Sequence, residues 1–431
     1  MLWQSTCRVS HAKNACSFVA KNLRAQQVRH LTLHEYQAYE LLRKHNVPVP
    51  KGKLARTGAE VRACIESLGG SAMIKAQVLQ GGGRGRGTFD SSLKGSIRRV
   101  TSASDGESVA TKMLGHSLRT SQTAYGGPVV RQLYVVEDIS PKEEWYVAIT
   151  VDRERYCPIL ILSKKGGVDI ETISRQSPED VITIPLQYDA GINAEVLRSI
   201  QEQLAIPGSA LGSLEKTLKS LWKIFSEKDA TLLELNPLAL LSSDRFMPLG
   251  AKFTFDDAAA RRQPELFAMR DAEHEVAEEV EAETYGLVYV RLDGNIGNVV
   301  NGAGLAMATN DAIGLHGGAS ANFLDAGGQA TKETMIQAFR IILADERVKA
   351  ILVNIYGGIT KCDMIAKSIL GAASELGPIT IPIVARLQGT NSAEGLRLLE
   401  EADLGIHVEA GFGEAARKAV ELAETNRLDA V

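Results

Sequence analysis

The sequence predicts an α/β protein with an α+β domain followed by a doubly wound parallel sheet. Three observations carry this. The chain has 431 residues, more than one ordinary hydrophobic core supports, so two or three domains are expected. From Tyr285 onward, strand-length apolar runs alternate with helix-length amphipathic segments, the rhythm of parallel strands with crossover helices. In that half, three glycine-rich stretches sit where a strand should end and a helix begin: 293–297 running on to 301–304, 325–331, and 354–360. Open parallel sheets bind ligands outside the carboxyl ends of their strands, and a helix N-terminus beside glycine suits an anion. These loops therefore predict a site for phosphate, carboxylate or a nucleotide-like ligand.

The elements follow in order. Residues 1–31 read as a mitochondrial transit peptide, and the protein is expected in the mitochondrial matrix. Arg8, Lys13, Lys21, Arg24 and Arg29 lie there among Ser and Ala, and no acidic residue precedes Glu35, which is transit-peptide composition. The first domain spans 32–265. Thr32 is expected to cap a helix, with Glu35 completing a capping box; Leu33, Tyr36, Tyr39, Leu41 and Leu42 recur at near-helical spacing. Val47-Pro48-Val49-Pro50 then forces extended chain. Strands are expected at 72–78, 129–136, 146–151, 158–163, 231–235 and 246–253, and helices at 57–68, 105–115 and 209–228. A helical connector spans 266–284, with a charged helix at 272–284. The second domain, 285–431, is expected to carry strands at 286–292, 320–324, 349–354, 381–386 and 405–408. Its helices are expected at 302–315, 332–345, 361–376, 393–402 and 413–425.

Composition excludes several classes. The chain is 45% hydrophobic and 23% charged with net charge −4, which leaves no nucleic-acid footprint. No apolar run approaches the ~20 residues that span a bilayer, so no membrane association is expected. Five cysteines without CxxC spacing argue against a disulfide framework or a cysteine zinc site.

Several motifs carry chemistry. Gly81 to Gly87 is a glycine loop containing Arg84 and Arg86, and it follows a strand with Lys75. Such a loop with Lys75 beside it points to phosphate oxygens. It is not a Walker A loop, because no Gly-Lys-Ser/Thr follows. Glu137 and Glu144 bracket a short connection between two strands, where carboxylates can accept from a purine amine or ribose hydroxyls. In Glu234-Leu235-Asn236-Pro237, strand alternation puts Glu234 and Asn236 on one face. An oxygen pair at a strand end can hold Mg²⁺ beside phosphates, or simply cap the strand. No Ser-His-Asp or Cys-His arrangement stands out. His316 reads as a helix-capping residue, and Cys362, at a helix start where a thiol pKa can fall, reads as structural.

These residues together resemble the β subunits of succinyl-CoA synthetases (succinate–CoA ligases). The likeness rests on Leu33-His34-Glu35-Tyr36-Gln37, Lys75, Gly83-Arg84-Gly85, Glu234-Leu235-Asn236-Pro237, the stretches 292–297 and 301–309, Asn322-Phe323-Leu324-Asp325 and Gly357-Gly358-Ile359. It runs in order from about residue 32 to 425. The resemblance implies an ATP-grasp domain followed by a flavodoxin-like CoA-ligase domain. It implies a heteromer with an α subunit, either a heterodimer or a dimer of heterodimers. The implied reaction joins succinate and CoA at the expense of ATP, giving ADP, phosphate and succinyl-CoA, in the tricarboxylic acid cycle. It passes through a phosphohistidine on α, which also holds most of the CoA. By position, Lys75, Gly83, Arg84 and Gly85 match phosphate contacts; Glu137 and Glu144 match purine and ribose contacts; Asn236 matches a Mg²⁺ ligand. Glu234 matches a catalytic glutamate facing the phosphohistidine, and Asn301, Gly358, Ile359 and Thr360 match the substrate-binding stretch. Pro50 stands where ATP-using members tend to carry proline.

The chain departs from that pattern in places. The family's second Mg²⁺ ligand is an aspartate two residues before a lysine; here Gly250 precedes Ala251-Lys252. The glycine loop carries one extra residue between Lys75 and Arg84, Gln329 replaces a third glycine, and Thr360-Lys361 replaces a commoner Val-Arg. Three readings follow: an active ADP-forming ligase subunit, a catalytically weak scaffold or regulatory paralogue, or a ligase for another dicarboxylate.

Overall fold

The computed structural model describes residues 30–79, 87–120, 127–168, 170–327, 331–377, 379–402 and 404–428. The transit-peptide reading therefore lies almost wholly outside the described residues, as do Gly83, Arg84, Gly85 and Gln329. The chain divides into two units, Met1–His274 and Glu275–Val431.

The first unit runs β1 (His30–Thr32), α1 (Glu35–Lys44), β2 (Gly52–Ala55), α2 (Gly58–Ser67), β3 (Ala72–Ala76), β4 (Thr88–Phe89), β5 (Ile97–Val100), α3 (Ala103–Met113), β6 (Leu118–Arg119), β7 (Leu133–Glu137), β8 (Glu143–Asp152) and β9 (Cys157–Ser163). It continues with α4 (Ile170–Gln176), β10 (Ile182–Pro185), α5 (Ala194–Leu204), α6 (Gly208–Glu227), β11 (Ala230–Leu240), β12 (Phe246–Pro248), β13 (Ala251–Asp256) and α7 (Pro264–Phe267). Two antiparallel sheets organise it: a four-stranded one in the order β2-β7-β3-β5, and a larger one in the order β1-β13-β11-β8-β9-β10, with β12 also on β11. The larger sheet buries Trp145, Val147, Leu233, Phe253 and Phe255 with the apolar stripe of α6, Leu214, Leu218 and Leu221. Ile74, Val100 and Val135 of the smaller sheet are buried with Val61 and Ile65 of α2 and Met113 of α3.

Three sequence expectations change here. Thr32 does not cap α1. It lies in β1, opposite Thr254 of β13, and the cap is His34, whose N–H donates to Gln37 Oε1 at 2.9 Å. Strand pairing thus overrides the local capping signal. The expected strand 231–235 runs on to Leu240 through the Asn236–Pro237 peptide, which is cis, with a break in its pairing to β8 between Leu235 and Leu238. The expected strand 246–253 splits at Leu249 and Gly250. There Leu249 N–H donates to Pro237 O (2.8 Å) and Asn236 N–H donates to Gly250 O (2.9 Å). Helices α4 and α5 had no sequence expectation, although Asn193 caps α5 by accepting from Glu195 and Val196 N–H groups.

The second unit begins with α8 (Ala277–Thr284), β14 (Val288–Arg291), β15 (Ile296–Val300), α9 (Ala303–Leu315), β16 (Asn322–Asp325), α10 (Lys332–Leu343) and β17 (Ala350–Gly357). It ends with α11 (Cys362–Leu376), β18 (Ile383–Gly389), α12 (Ser392–Glu401), β19 (His407–Val408) and α13 (Phe412–Leu428). The sheet order is β14-β16-β15-β17-β18-β19, parallel except for the edge strand β14. One face is covered through α10 and α11 (Phe339, Ile365, Ile369), the other through α9 and α13 (Ile313, Ala416, Ala419).

The charged helix expected over 272–284 forms instead a short 3-10 turn at Ala272–His274 and then α8. The first glycine stretch also differs from expectation. Residues 293–295 connect two strands, β14 and β15, and only Asn301-Gly302 leads from a strand into a helix. The stretch Ile296–Val300 had been absorbed into a loop, yet it is a fully buried strand that takes Asn298 into the interior. Such runs lack the alternation that marks a half-buried strand.

Candidate functional site

In the first unit, the strand ends and the turn between β12 and β13 link three of the expected residues, Lys75, Glu234 and Asn236. Lys75 of β3 is buried. Its Nζ donates to Glu35 Oε1 at 2.8 Å and to the Leu249 carbonyl at 2.5 Å. Leu249 precedes Gly250, whose carbonyl holds Asn236, so Lys75 and the β11 pair share one turn. Asn236 Oδ1 accepts from Gly167 N–H (3.1 Å), while its Nδ2 donates to Glu234 Oε1 (3.2 Å) and Val168 O (3.3 Å). Alternation on β11 thus places a carboxylate and an amide side by side, both half-buried. Glu137 ends β7, where Oε1 accepts from Lys51 N–H at 2.8 Å. Glu144 is an exposed residue of β8, and its carbonyl accepts from Gly166 N–H at 2.6 Å.

Glu234 and Asn236 thus lie side by side, joined through the amide nitrogen, while the amide oxygen is engaged by Gly167 N–H. Gly250 brings no side chain to them. A Cβ built there would stand 2.3 Å from the Asn236 carbonyl oxygen. A side chain at 250 would therefore need the turn to shift away from Asn236.

Sequence reading missed Glu35 as a partner of Lys75. It had been assigned to a capping box, and a pairing 40 residues apart leaves no local signal. Tyr39 was read as a core residue only. Its hydroxyl donates to Glu35 Oε1 at 3.2 Å, and burial, then the Glu35 charge, push that hydroxyl's pKa well up, so it stays a donor.

Among the described residues, His34, Asp271 and His274 place ligand atoms within 4.8 Å of one another. Asp271 Oδ2 lies 2.8 Å from both His34 Nε2 and His274 Nδ1. Ligands at tetrahedral angles around zinc stand about 3.3 Å apart, so this is a hydrogen-bonded triad that pins the start of α1. Burial pulls the His34 pKa down, partly offset by Asp271. Burial acts to raise the Asp271 carboxyl, but the hydrogen bond from His34 and the neighbouring His274 hold it below the usual range.

In the second unit, Asn301 Nδ2 donates to Tyr356 O and its Oδ1 accepts from Tyr356 N–H, both at 2.9 Å. Its amide splices the β15 loop to β17 beside Gly358 and Ile359, which are exposed, and Thr360, which is buried. Asp325 Oδ1 accepts from Gly302 N–H (2.6 Å) and Gly327 N–H (2.7 Å). The chain's own carboxylate thus occupies the anion position at the start of α9. Burial raises the Cys362 thiol pKa despite its place at a helix start, and its Sγ donates to Gln388 O. His316 is the C-cap of α9.

An ATP-grasp domain model matches residues 32–240 and a CoA-ligase model matches 299–427. A mitochondrial ADP-forming succinate–CoA ligase β subunit from Neurospora crassa is 43% identical, over 94% of this chain and 90% of that protein. Its Arabidopsis thaliana counterpart is 44% identical over 92% and 94%. The chain belongs to the succinate–CoA ligase β-subunit family. A GDP-forming member from Dictyostelium discoideum is 41% identical over 91% of this chain and 94% of that protein. Among solved structures, ATP citrate lyase from Methanothrix soehngenii shares the fold, with a TM-score of 0.65 at 19% identity over 91% of this chain and 100% of that one.

Two outcomes are expected. The unfolded chain takes up a proton on His34 near the ordinary histidine pKa of ~6.5, which the folded chain resists. That contribution is full above this pH and is lost as pH falls, at no more than ~1.4 kcal/mol per pH unit; the depressed Asp271 adds its own loss only below pH ~4. Urea unfolding at pH 7 and 5.5 should show the first loss in the wild type and a flatter profile in His34→Gln. Separately, Gly250→Ala and Gly250→Asp should each lose about 1–3 kcal/mol through overpacking, read as a lower melting temperature. An unchanged melting temperature in either would show that the turn has room for a side chain.

Proposed function

We propose that the chain is the nucleotide-handling β subunit of an ADP-forming succinate–CoA ligase of the mitochondrial matrix, working with an α subunit in the tricarboxylic acid cycle. The reaction is ATP + succinate + CoA giving ADP + phosphate + succinyl-CoA, reversibly, through a phosphohistidine on α. The observation that carries this is the gathering of Lys75, Glu234 and Asn236 around one turn, in a chain 43–44% identical over nearly its whole length to β subunits with that name. The relatives named above are all ligase subunits, and none favours a non-catalytic scaffold.

In this reading the Lys75 ammonium neutralises phosphate oxygens, a charge-assisted contact, and Gly83, Arg84 and Gly85 close over the same phosphates. Glu137 and Glu144 accept from the purine amine and the ribose hydroxyls. Asn236 holds Mg²⁺, which when bound screens phosphate charge and orients the transferred group. Glu234 faces the α histidine and orients the ring to receive the phosphoryl group. In the second unit, Gly358, Ile359 and Thr360 bind substrate at the boundary with α, where the α11 N-terminus favours an anion. Asn301 fixes that loop through Tyr356. Identity alone does not choose the nucleotide, since a GDP-forming relative matches almost as well; the choice of adenine rests on Pro50. Pro50 is buried, and its carbonyl accepts from Arg43 at 3.1 Å.

The test uses the mature chain co-expressed with its α subunit, given terminally labelled ATP and Mg²⁺. Acid-labile label should appear on α at catalytic speed, chelation should abolish it, and Lys75→Met should lower its rate about 10- to 100-fold, the worth of a hydrogen bond to a charged group. An assembled complex that takes up no label would sink the proposal.

A further inference from the structure

We infer that Glu35 is a positioning residue for nucleotide phosphate, acting through Lys75. This rests on the nucleotide-site reading above and deepens it.

A buried ammonium is costly unless it is paired and hydrogen-bonded. The Lys75 side chain is only 8% exposed, and Glu35, 18% exposed, supplies the pairing charge at 2.8 Å. The Leu249 carbonyl takes a second N–H at 2.5 Å. An ammonium has three donors at fixed angles. Holding two of them fixes the direction of the third, which has no hydrogen-bond partner among the described residues. Without Glu35 the side chain has one anchor and can rotate about it.

Glu35 is well suited to this task, because it is itself held. It lies in the first turn of α1, where the helix dipole favours a carboxylate. Its Oε1 also accepts from the Tyr39 hydroxyl, and the Tyr39 ring lies 5.8 Å from Nζ. The residue before it, His34, is fastened by Asp271. The backbone beneath Lys75 is tied to the same helix: Gln77 Nε2 donates to the Lys75 carbonyl at 3.3 Å, and Gln77 Oε1 accepts from Tyr36 N–H at 3.3 Å. Glu35 therefore sets where Lys75 presents its charge, while Leu249 ties that charge to the turn gripping Asn236.

Two other roles for Glu35 give different results. A purely structural ion pair would affect all ligands equally through the fold. A competitor for Lys75 would hinder phosphate, so its removal would tighten binding. The experiment measures equilibrium binding of ATP, ADP and adenosine by calorimetry to the complex with α, for wild type, Glu35→Gln, Glu35→Asp and Tyr39→Phe, with melting temperatures alongside. Positioning predicts that Glu35→Gln weakens ATP and ADP about tenfold or more, the scale of one charge-assisted contact, and leaves adenosine unchanged. Glu35→Asp should recover part of the loss. Tyr39→Phe, which keeps the ion pair but loosens it, should weaken ATP about two- to fivefold and so serves even if Glu35→Gln fails to fold. Equal losses for ATP and adenosine, or tighter ATP binding in Glu35→Gln, would overturn the inference. A wild-type complex that binds ATP no better than adenosine would overturn the nucleotide-site reading itself, and this inference with it.

Discussion

The first unit is organised around the need of one buried cation for fixed partners. Lys75 comes from the four-stranded sheet, Glu35 from the start of α1, and the Leu249 carbonyl from a turn attached to the larger sheet. No two of these elements are neighbours in sequence. Their meeting is stabilised by a strong constraint: removing one member of a buried pair leaves a desolvated charge, at a cost of roughly 3–5 kcal/mol. The two sheets are thereby fastened at Lys75, where the proposed function puts a phosphate.

The same turn explains why the site tolerates glycine at 250. The β12–β13 bend is closed by reciprocal backbone hydrogen bonds with Asn236 and Pro237 on β11. That closure brings the Asn236 carbonyl into the space a Cβ would need. A side chain at 250 would need this bend to shift, and the residue before it, Leu249, carries the carbonyl that holds Lys75. The Lys75 anchor and the Asn236 backbone are thus coupled through one peptide segment.

In the second unit, side-chain amides complete what the backbone leaves open. Asn322 makes a pair of ladder-like bonds to residue 298, accepting from its N–H at 2.9 Å and donating to its carbonyl at 3.0 Å. It does so where β15 and β16 pair only at Val300 and Asp325. Asn354 likewise joins Thr309 of α9 to Arg386 of β18. Asn322 and Asn354 each engage both the amide oxygen and the amide nitrogen, and buried amides bonded in this way favour one arrangement of the core. Asp325 completes this pattern by satisfying glycine N–H groups in two successive loops. In the loop leading into α11, Gly358 and Ile359 are exposed.

How much of this was legible in the sequence follows from the range of each interaction. The alternation after Tyr285 and the amphipathic stripe of α6 are local, periodic signals, and the elements lie where periodicity puts them. Ile296–Val300 escaped because a strand buried on both faces has no alternation to read. Thr32 misled because a capping signal is local, whereas pairing with β13 is not. The same misreading hid Glu35: a residue three after a threonine looks like half of a capping box until Lys75 is placed beside it. Candidate residues named from motifs, such as Lys75, Glu234 and Asn236, could be picked out because glycine loops and strand-end oxygens have characteristic neighbours in sequence. The groups that orient them, Glu35, Tyr39, the Leu249 carbonyl and Gly167 N–H, have none. Their identity is fixed only when the fold closes around a charge, so a sequence can name the groups that meet a ligand before it reveals the groups that aim them.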